Sequence, residues 1–227
     1  MIDSVAESLL HLDSSADAFR DSVTRQLTAS FAEAWRGTAY TYRDVAAEPV
    51  PLVTAAYTTL GRRVERHGVL PLDKVAALVE TEAEDREWAR TLPLIEEVLA
   101  ARTILLGVPM YNFSVPASLK AWIDRVSFPG AFTDPGSGLS LLRDTKLVLV
   151  LARGGGYGPG TPRHGCDFQT PYLRAQFGRL GVSEVNSSIV EAEFTRADDI
   201  PALAGFQDRA AKSLAAARTA VADLATG

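Results

Sequence analysis

Short apolar runs recur along the chain, and two of them are continuous rather than alternating. Residues 103–108 (TILLGV) and 146–152 (KLVLVLA) place apolar side chains on both faces, a pattern typical of strands that are covered on both sides in a parallel sheet. A run at 8–13 (SLLHLD) and an alternating run at 39–45 (AYTYRDV) predict two more strands. Residues 185–191 (VNSSIVE) predict the fifth.

Helical periodicity fills the intervals between these predicted strands. Within 22–35, apolar residues spaced four apart form one stripe: Val23, Leu27, Phe31 and Trp35. Further helices are predicted over 53–67, 73–84, 85–101, 116–126, 170–180 and 199–224. The alternation of strands and helices predicts a doubly wound α/β fold with a mostly parallel sheet, formed by residues 1–227 as a single domain. Ligands of such folds bind beyond the carboxyl ends of the strands, so the residues after each strand are the candidates for chemistry.

Composition and charge exclude several classes of protein. The 227 residues carry a formal net charge of −5, which argues against sequence-independent binding to nucleic acid. A single cysteine, Cys166, excludes an intrachain disulfide framework and a multi-cysteine metal site, and the three histidines lack ligand spacing. The amino terminus has acidic residues where a signal peptide would have basic ones, and no apolar run approaches the ~20 residues that span a bilayer. We therefore expect a cytoplasmic protein with no metal and no membrane partner.

The segment after the first strand is rich in hydroxyl groups and leads into a predicted helix. Ser15, Ser22, Val23 and Thr24 would offer hydroxyls and free amides near the positive end of the helix dipole, which together suit an anion such as a phosphate. The alternative is an ordinary helix cap, since Ser and Asp are the usual cap residues. No G-x-G-x-x-G follows this strand and no G-x-x-x-x-G-K-[ST] occurs in the chain, which excludes the dinucleotide fingerprint and the P-loop.

A loop between two prolines follows the third strand. It contains Pro109, Met110, Tyr111, Asn112 and Phe113. Because proline restricts its own backbone and that of the residue before it, a rigid loop is expected. Such a loop could support a flat aromatic ligand. It could equally be a hydrophobic loop that closes the core.

A glycine-rich segment follows the fourth strand, where Arg153 precedes three consecutive glycines. Glycine lets the backbone approach a ligand closely, so this segment could hold a phosphate or the electron-rich edge of a heterocycle. The alternative is a mobile surface loop.

Cys166 lies near Arg163 and His164, and such neighbours favour a thiolate. An unreactive free thiol is the alternative. G-x-S-x-G does not occur, which weakens a hydrolase interpretation.

Taken in order, these segments resemble the family of FMN-dependent NADH-azoreductases and quinone reductases. The most specific stretch is 109–126, PMYNFSVPASLKAWIDRV, which is similar to a family pattern close to P-M-Y-N-F-x-x-P-x-x-L-K-x-W-x-D. The opening LLHLDSSAD, the Arg153-Gly154-Gly155 segment and TPYL at 170–173 are similar as well. The resemblance covers nearly the whole chain. It implies a flavodoxin-like fold, with a five-stranded parallel sheet of order 2-1-3-4-5 and helices on both faces.

The resemblance also implies where FMN and the substrates bind. The first loop would hold the FMN phosphate, and the loop after the third strand would pack against the flavin and hydrogen-bond it. The pyrimidine edge would be lined by Ala152, Arg153, Gly154 and Gly155. The family commonly has Ser where this chain has Ala152, and also where it has Thr24. NADH or NADPH would deliver a hydride to the flavin, and a small aromatic or quinone-like acceptor would then remove it in a ping-pong cycle.

Two departures from the family pattern concern the substrate. The stretch GAFTDPGSG, which contains Phe132, is shorter than the family's T-F-x-Y-T-like stretch and lacks its tyrosine. Arg179 takes a position that is usually apolar, and its guanidinium could select an acidic or phenolic aromatic acceptor or could extend into solvent. A reductase that tailors an aromatic natural product is therefore an alternative to a general quinone or azo reductase. A flavodoxin-type electron carrier is a third interpretation.

A homodimer is also expected, with the substrate pocket at its interface. The predicted helix over 116–126 carries Trp122 beside Lys120 and Asp124, and an exposed tryptophan is a favoured anchor of protein interfaces. Asp124 and Arg125 are expected to form a solvated or interface pair. The family resemblance implies the same assembly.

Overall fold

A five-stranded sheet forms the centre of the computed structural model, which describes residues 7–17, 21–161 and 163–227. The strands are β1 (Ser8–Asp13), β2 (Ala39–Asp44), β3 (Thr103–Pro109), β4 (Lys146–Ala152) and β5 (Ser187–Ala192). Neighbouring strands are parallel throughout, in the order β2-β1-β3-β4-β5. The predicted fold class and strand order are confirmed.

Seven α-helices occur in the described part of the chain. They are α1 (Val23–Ala34), α2 (Ala55–His67), α3 (Leu72–Val75), α4 (Glu82–Ala100), α5 (Ala117–Val126), α6 (Gln169–Leu180) and α7 (Gln207–Thr226). The helix predicted over 73–84 is wrong, because Thr81 caps a new helix there by accepting a hydrogen bond from the Glu84 amide (3.2 Å). Within the described ranges, no helix is both long and apolar enough to cross a membrane.

Alternate residues of each central strand face opposite layers of helices. In β3, Leu105 packs with α1 and α7 on one face of the sheet. Ile104 and Leu106 pack on the other face, with side chains of α2, α4, α5 and α6. Two covered faces explain why the central strands are apolar without alternation.

Helix α5 differs from its expected role. Trp122 is only 1% exposed and belongs to the core, so the expectation that it anchors an interface is wrong. Asp124 pairs on the surface with Lys120 (2.6 Å), whereas Arg125 is fully buried and pairs with Glu87 of α4 (2.8 Å). Asp124 and Arg125 therefore do not pair with each other, because successive residues of a helix point in different directions.

The carboxyl ends of β1, β3 and β4 lie side by side at one edge of the sheet. The register pairs Asp13 of β1 with Gly107 of β3, and Pro109 of β3 with Ala152 of β4. The three loops that follow these strands therefore begin next to one another.

Candidate functional site

The loops after β1, β3 and β4 line a cleft with a volume of about 780 Å³, a size typical of sites for small ligands and cofactors. All the expected cofactor residues except Arg153 line it, namely Ser15, Ser22, Val23, Thr24, Pro109, Met110, Tyr111, Asn112, Phe113, Ala152, Gly154 and Gly155. Residues 18–20 of the first loop lie outside the described residues.

The amino terminus of α1 forms one end of the cleft. Ser22 caps this helix, since its Oγ accepts a hydrogen bond from the Arg25 amide (3.3 Å) and lies 3.0 Å from Thr24 Oγ1. Both side chains are nearly fully buried. The first amides of a helix have no intrahelical acceptor, so together with these hydroxyls they can bind an anion. A cap and an anion site are therefore compatible here.

The side chain of Arg25 holds the backbone of the first loop. The guanidinium donates hydrogen bonds to the carbonyls of Ser15 (2.6 Å) and Asp17 (3.2 Å), and it pairs with Asp44 at the end of β2 (2.7 Å). Partial burial acts to raise the pKa of Asp44, but the hydrogen bond and charge of Arg25 and two backbone amides hold that pKa below its usual value. Sequence reasoning missed this residue, because only its position in the first turn of α1 pointed to the loop.

A buried polar cluster lies at the end of β1, just before the first loop. Asp13 accepts hydrogen bonds from Thr28 Oγ1 (2.9 Å) and the Tyr42 hydroxyl (3.1 Å), and it lies 3.4 Å from His11 Nε2. Burial, together with the charge of Asp13, raises the pKa of Tyr42 to about 12. Gly107 is required beside this cluster, since a Cβ there would collide with the Asp13 carboxylate.

The loop after β3 contains a tight turn with an unusual backbone. Tyr111 and Ser114 exchange two backbone hydrogen bonds of 3.0 Å, and between them Asn112 and Phe113 have φ angles of 48° and 70°. Residues other than glycine seldom adopt such angles, and each costs about 1–3 kcal/mol. The Tyr111 hydroxyl accepts a hydrogen bond from the Ala16 amide (3.0 Å), which joins the turn to the first loop. Strain of this kind is common at ligand sites.

The side chain of Arg153 is not part of the cleft, which corrects the expectation that it lines the ligand. It is 3% exposed and donates to Gln169 Oε1 (3.3 Å). It also pairs with Asp167 (3.0 Å), Glu191 (3.0 Å) and Glu193 (3.6 Å). Successive residues of an extended chain point to opposite sides, so Arg153 points away when its neighbour lines the cleft. Three carboxylates neutralise its charge, and the residue holds the glycine segment in place instead.

The cleft also contains residues that the sequence did not assign to the site. They are Asp17, Asp21, Tyr157, Arg163, Thr195, Arg196, Asp199, Ile200, Ala202 and Leu203. The last six follow β5, so the sequence pointed to them only by their position after a predicted strand. Tyr157 and Arg163 come from the glycine-rich segment, whose path could not be predicted.

The structure brings neither expected substrate residue to the cleft. Phe132 is 5% exposed and packs in the core. Arg179 is exposed on the last turn of α6. Burial and the charge of Asp124 raise the pKa of Tyr172 to about 12, and the positive charge of Arg179 partly opposes this shift. Arg179 therefore belongs to the outer surface near α5.

Cys166 is a free, half-buried cysteine whose amide donates to the Arg163 carbonyl (3.0 Å).

Most of the chain, residues 7–214, matches a family model described as a flavodoxin-like fold. The chain therefore belongs to the flavodoxin-like family. Within it, an FMN-dependent NADH:quinone oxidoreductase of Nocardia farcinica is 42% identical over 202 residues, which are 87% of this chain and 88% of the relative. A protein of the same name from Frankia casuarinae is 37% identical over 216 residues, covering 93% and 95%. The family resemblance seen in the sequence is thus confirmed.

Solved structures share the fold over nearly the whole chain. An azoreductase from Bacillus anthracis has a TM-score of 0.73 at 22% identity, covering 97% of this chain and 99% of the other. An FMN-dependent NADH-azoreductase from the same species, determined in complex with FMN, has a TM-score of 0.72 at 18% identity, covering 97% and 98%. At these identities the likeness concerns the fold.

Proposed function

We propose that this chain binds FMN in the cleft and uses NADH or NADPH to reduce quinones, azo compounds or related aromatic acceptors. The observation that carries the proposal is the convergence of three loops on one cleft: the hydroxyl-rich start of α1, the strained turn at 111–114 and the glycine pair at 154–155. The names of the relatives, which specify FMN, NADH and quinone, support the same conclusion.

The residues of the cleft fit a flavin mononucleotide. The amides and hydroxyls at the start of α1 suit one terminal phosphate. Met110 and the turn at 111–114, with Asn112 and Phe113, would face the flavin ring. Gly154 and Gly155 have no side chains to separate their backbone from the pyrimidine edge, so their amides are the groups that would stabilise negative charge there.

FMN and the protein have different roles in the proposed reaction. When bound, FMN supplies the redox chemistry, since it can accept a hydride from a nicotinamide and pass it to an acceptor in a ping-pong cycle. The protein binds the phosphate, orients the ring and leaves room for the two substrates in turn. Arg153 acts as a positioning residue, because its ion pairs hold the backbone of the glycine pair.

The absorption spectrum of the purified protein tests the cofactor directly. We expect flavin bands and release of FMN rather than FAD on denaturation. Consumption of NADH that depends on a quinone would then separate a reductase from a one-electron carrier. A protein that stays colourless after titration with FMN would contradict the proposal.

Substitution of Asn112 tests the turn at 111–114. Asn112→Ala should weaken FMN binding by about 1–3 kcal/mol, since an amide would be lost at a buried polar edge of the flavin. Asn112→Gly is the matched control, because it removes the amide and still accepts the positive φ. Quenching of FMN fluorescence measures both dissociation constants, with His67→Ala as a surface reference. Unchanged affinity in Asn112→Gly would remove the Asn112 side chain from the site.

A homodimer with the pocket at its interface is part of the proposal. Trp122 no longer supports it, but two exposed phenylalanines do. Phe113, which lines the cleft, is 42% exposed, and Phe168, whose amide donates to the Phe113 carbonyl (3.1 Å), is 59% exposed. Neighbouring exposed aromatic side chains favour an interaction surface. Sedimentation at micromolar concentration measures the assembly, and a fully active monomer would contradict it.

The extent of the domain and the location in the cell stay predictions. A single domain over residues 1–227 should unfold in one cooperative transition. A cytoplasmic location can be tested by cell fractionation.

A further inference from the structure

One wall of the cleft holds a guanidinium beside two aromatic rings. Arg163 donates a hydrogen bond to the Tyr157 hydroxyl (3.0 Å), and its guanidinium carbon lies 5.9 Å from the Tyr157 ring centre and 6.0 Å from that of Phe113. The two rings meet edge to face, with centres 6.3 Å apart. Phe113, Tyr157 and Arg163 are called the aromatic–cation wall below.

The charge of Arg163 is available to a ligand. Arg196, the other arginine that lines the cleft among the described residues, pairs with Asp199 (3.6 Å). Arg153, behind the cleft, is neutralised by three carboxylates. Within residues 7–17, 21–161 and 163–227, Arg163 forms no ion pair. Asp17 and Asp21 also line the cleft, but they belong to the first loop.

The aromatic–cation wall lies next to the proposed position of the flavin edge. A Cβ built on Gly155 would be 3.6 Å from Arg163 Nη1, so the guanidinium borders the backbone that is proposed to face the pyrimidine ring. A planar acceptor stacked on the flavin would therefore have this wall at its side. Aromatic rings favour contact with another ring, and a guanidinium fork matches the two oxygens of a carboxylate.

We infer that Arg163 determines acceptor specificity, and that the preferred acceptors are aromatic compounds with a carboxylate, a sulfonate or an ionised phenol. The ring of such an acceptor packs against Phe113 and Tyr157 while its anionic group pairs with Arg163. This inference rests on the proposed function. It assigns to Arg163 the selection that the sequence had suggested for Arg179, which lies outside the cleft.

A pair of ligands that differ only in charge tests the inference by binding. The FMN-loaded protein is titrated with 2-naphthoate and with its neutral amide, 2-naphthamide, and the flavin absorbance is followed. In Arg163→Gln, affinity for the acid should fall about tenfold or more relative to affinity for the amide, since a charged hydrogen bond is lost. Arg179→Gln is the matched control, and its ratio should equal that of the unmodified protein. Equal losses for acid and amide in Arg163→Gln would overturn the inference.

A second measurement separates binding of the acceptor from binding of NADH, whose diphosphate is also anionic. The bound FMN is first reduced chemically, and its single-turnover oxidation by anthraquinone-2-carboxylate is compared with that by the corresponding carboxamide. The acid-to-amide ratio of second-order rate constants should fall about tenfold in Arg163→Gln. An unchanged ratio would overturn the inference even if steady-state turnover with NADH is impaired. A protein that binds no FMN would instead refute the proposed function itself.

Discussion

Replacement of Arg125 tests how much the core depends on one buried ion pair. Arg125 is 0% exposed and donates hydrogen bonds to Glu87 Oε2 (2.8 Å), Thr91 Oγ1 (3.0 Å), and the carbonyls of Pro51 (3.0 Å) and Leu52 (3.0 Å). These contacts join α5 to α4 and to the segment before α2. Arg125→Met keeps much of the apolar volume of the side chain and removes every one of them.

The expected loss of stability follows from the burial of the remaining partner. The side chain of Glu87 is 5% exposed, and removal of one member of a buried pair typically costs 3–5 kcal/mol because the other charge is left uncompensated. Glu87 also contacts Arg90 at 3.4 Å, but that arginine is 53% exposed and compensates only weakly. We therefore expect a loss of about 3 kcal/mol, which for a chain of this size lowers Tm by roughly 6–12 °C.

Urea unfolding of Arg125→Met, of Glu87→Leu and of the variant that combines them measures this loss. FMN is kept at one concentration throughout, because a bound ligand adds to the apparent stability. Arg125→Met combined with Glu87→Leu removes both charges and should recover much of the loss seen with Arg125→Met alone. The reasoning is refuted if Arg125→Met unfolds within about 1 kcal/mol of the unmodified protein, or if the double variant is no more stable than Arg125→Met.

Four further predictions concern two glycines, Arg25 and Asp44. Gly107→Ala should lower the free energy of unfolding by about 1–3 kcal/mol, because its methyl group would meet the Asp13 carboxylate. Gly178→Ala, which has open space around it in α6, should raise the free energy of unfolding by about 0.5–1 kcal/mol. Urea midpoints equal to that of the unmodified protein would contradict both predictions. Arg25→Met should weaken FMN binding, because the carbonyls of the first loop lose their donor; an unchanged dissociation constant in a fluorescence titration would show that the loop needs no such support. The lowered pKa of Asp44 contributes stability that is present at neutral pH and lost as the pH falls from about 4 through that pKa, so Asp44→Asn should show a flatter decline in acid, and identical profiles would argue against it.

The strands and the loops at their ends could be predicted from the sequence because both depend on local properties. A continuous apolar run such as 103–108 or 146–152 has few alternatives to a buried parallel strand, and parallel strands bring their carboxyl ends to the same edge. Serine before a helix, proline around a loop and consecutive glycines each act on the backbone beside them. The hydroxyl-rich loop, the turn at 111–114 and the glycine pair were therefore identified before their positions in space were known.

The partners of individual side chains were decided only by the tertiary structure. Arg153 adjoins the glycine pair in sequence, yet carboxylates from distant segments surround it, while Arg163 reaches the cleft from further along the same loop. Trp122 and Phe132 entered the core, and Arg179 stayed on the surface. The sequence determines which residues carry charge or aromatic surface and which stretches form the sheet. Whether a charge is neutralised or a ring is buried depends on which remote segments of the chain pack against it. Local periodicity does not predict those long-range contacts.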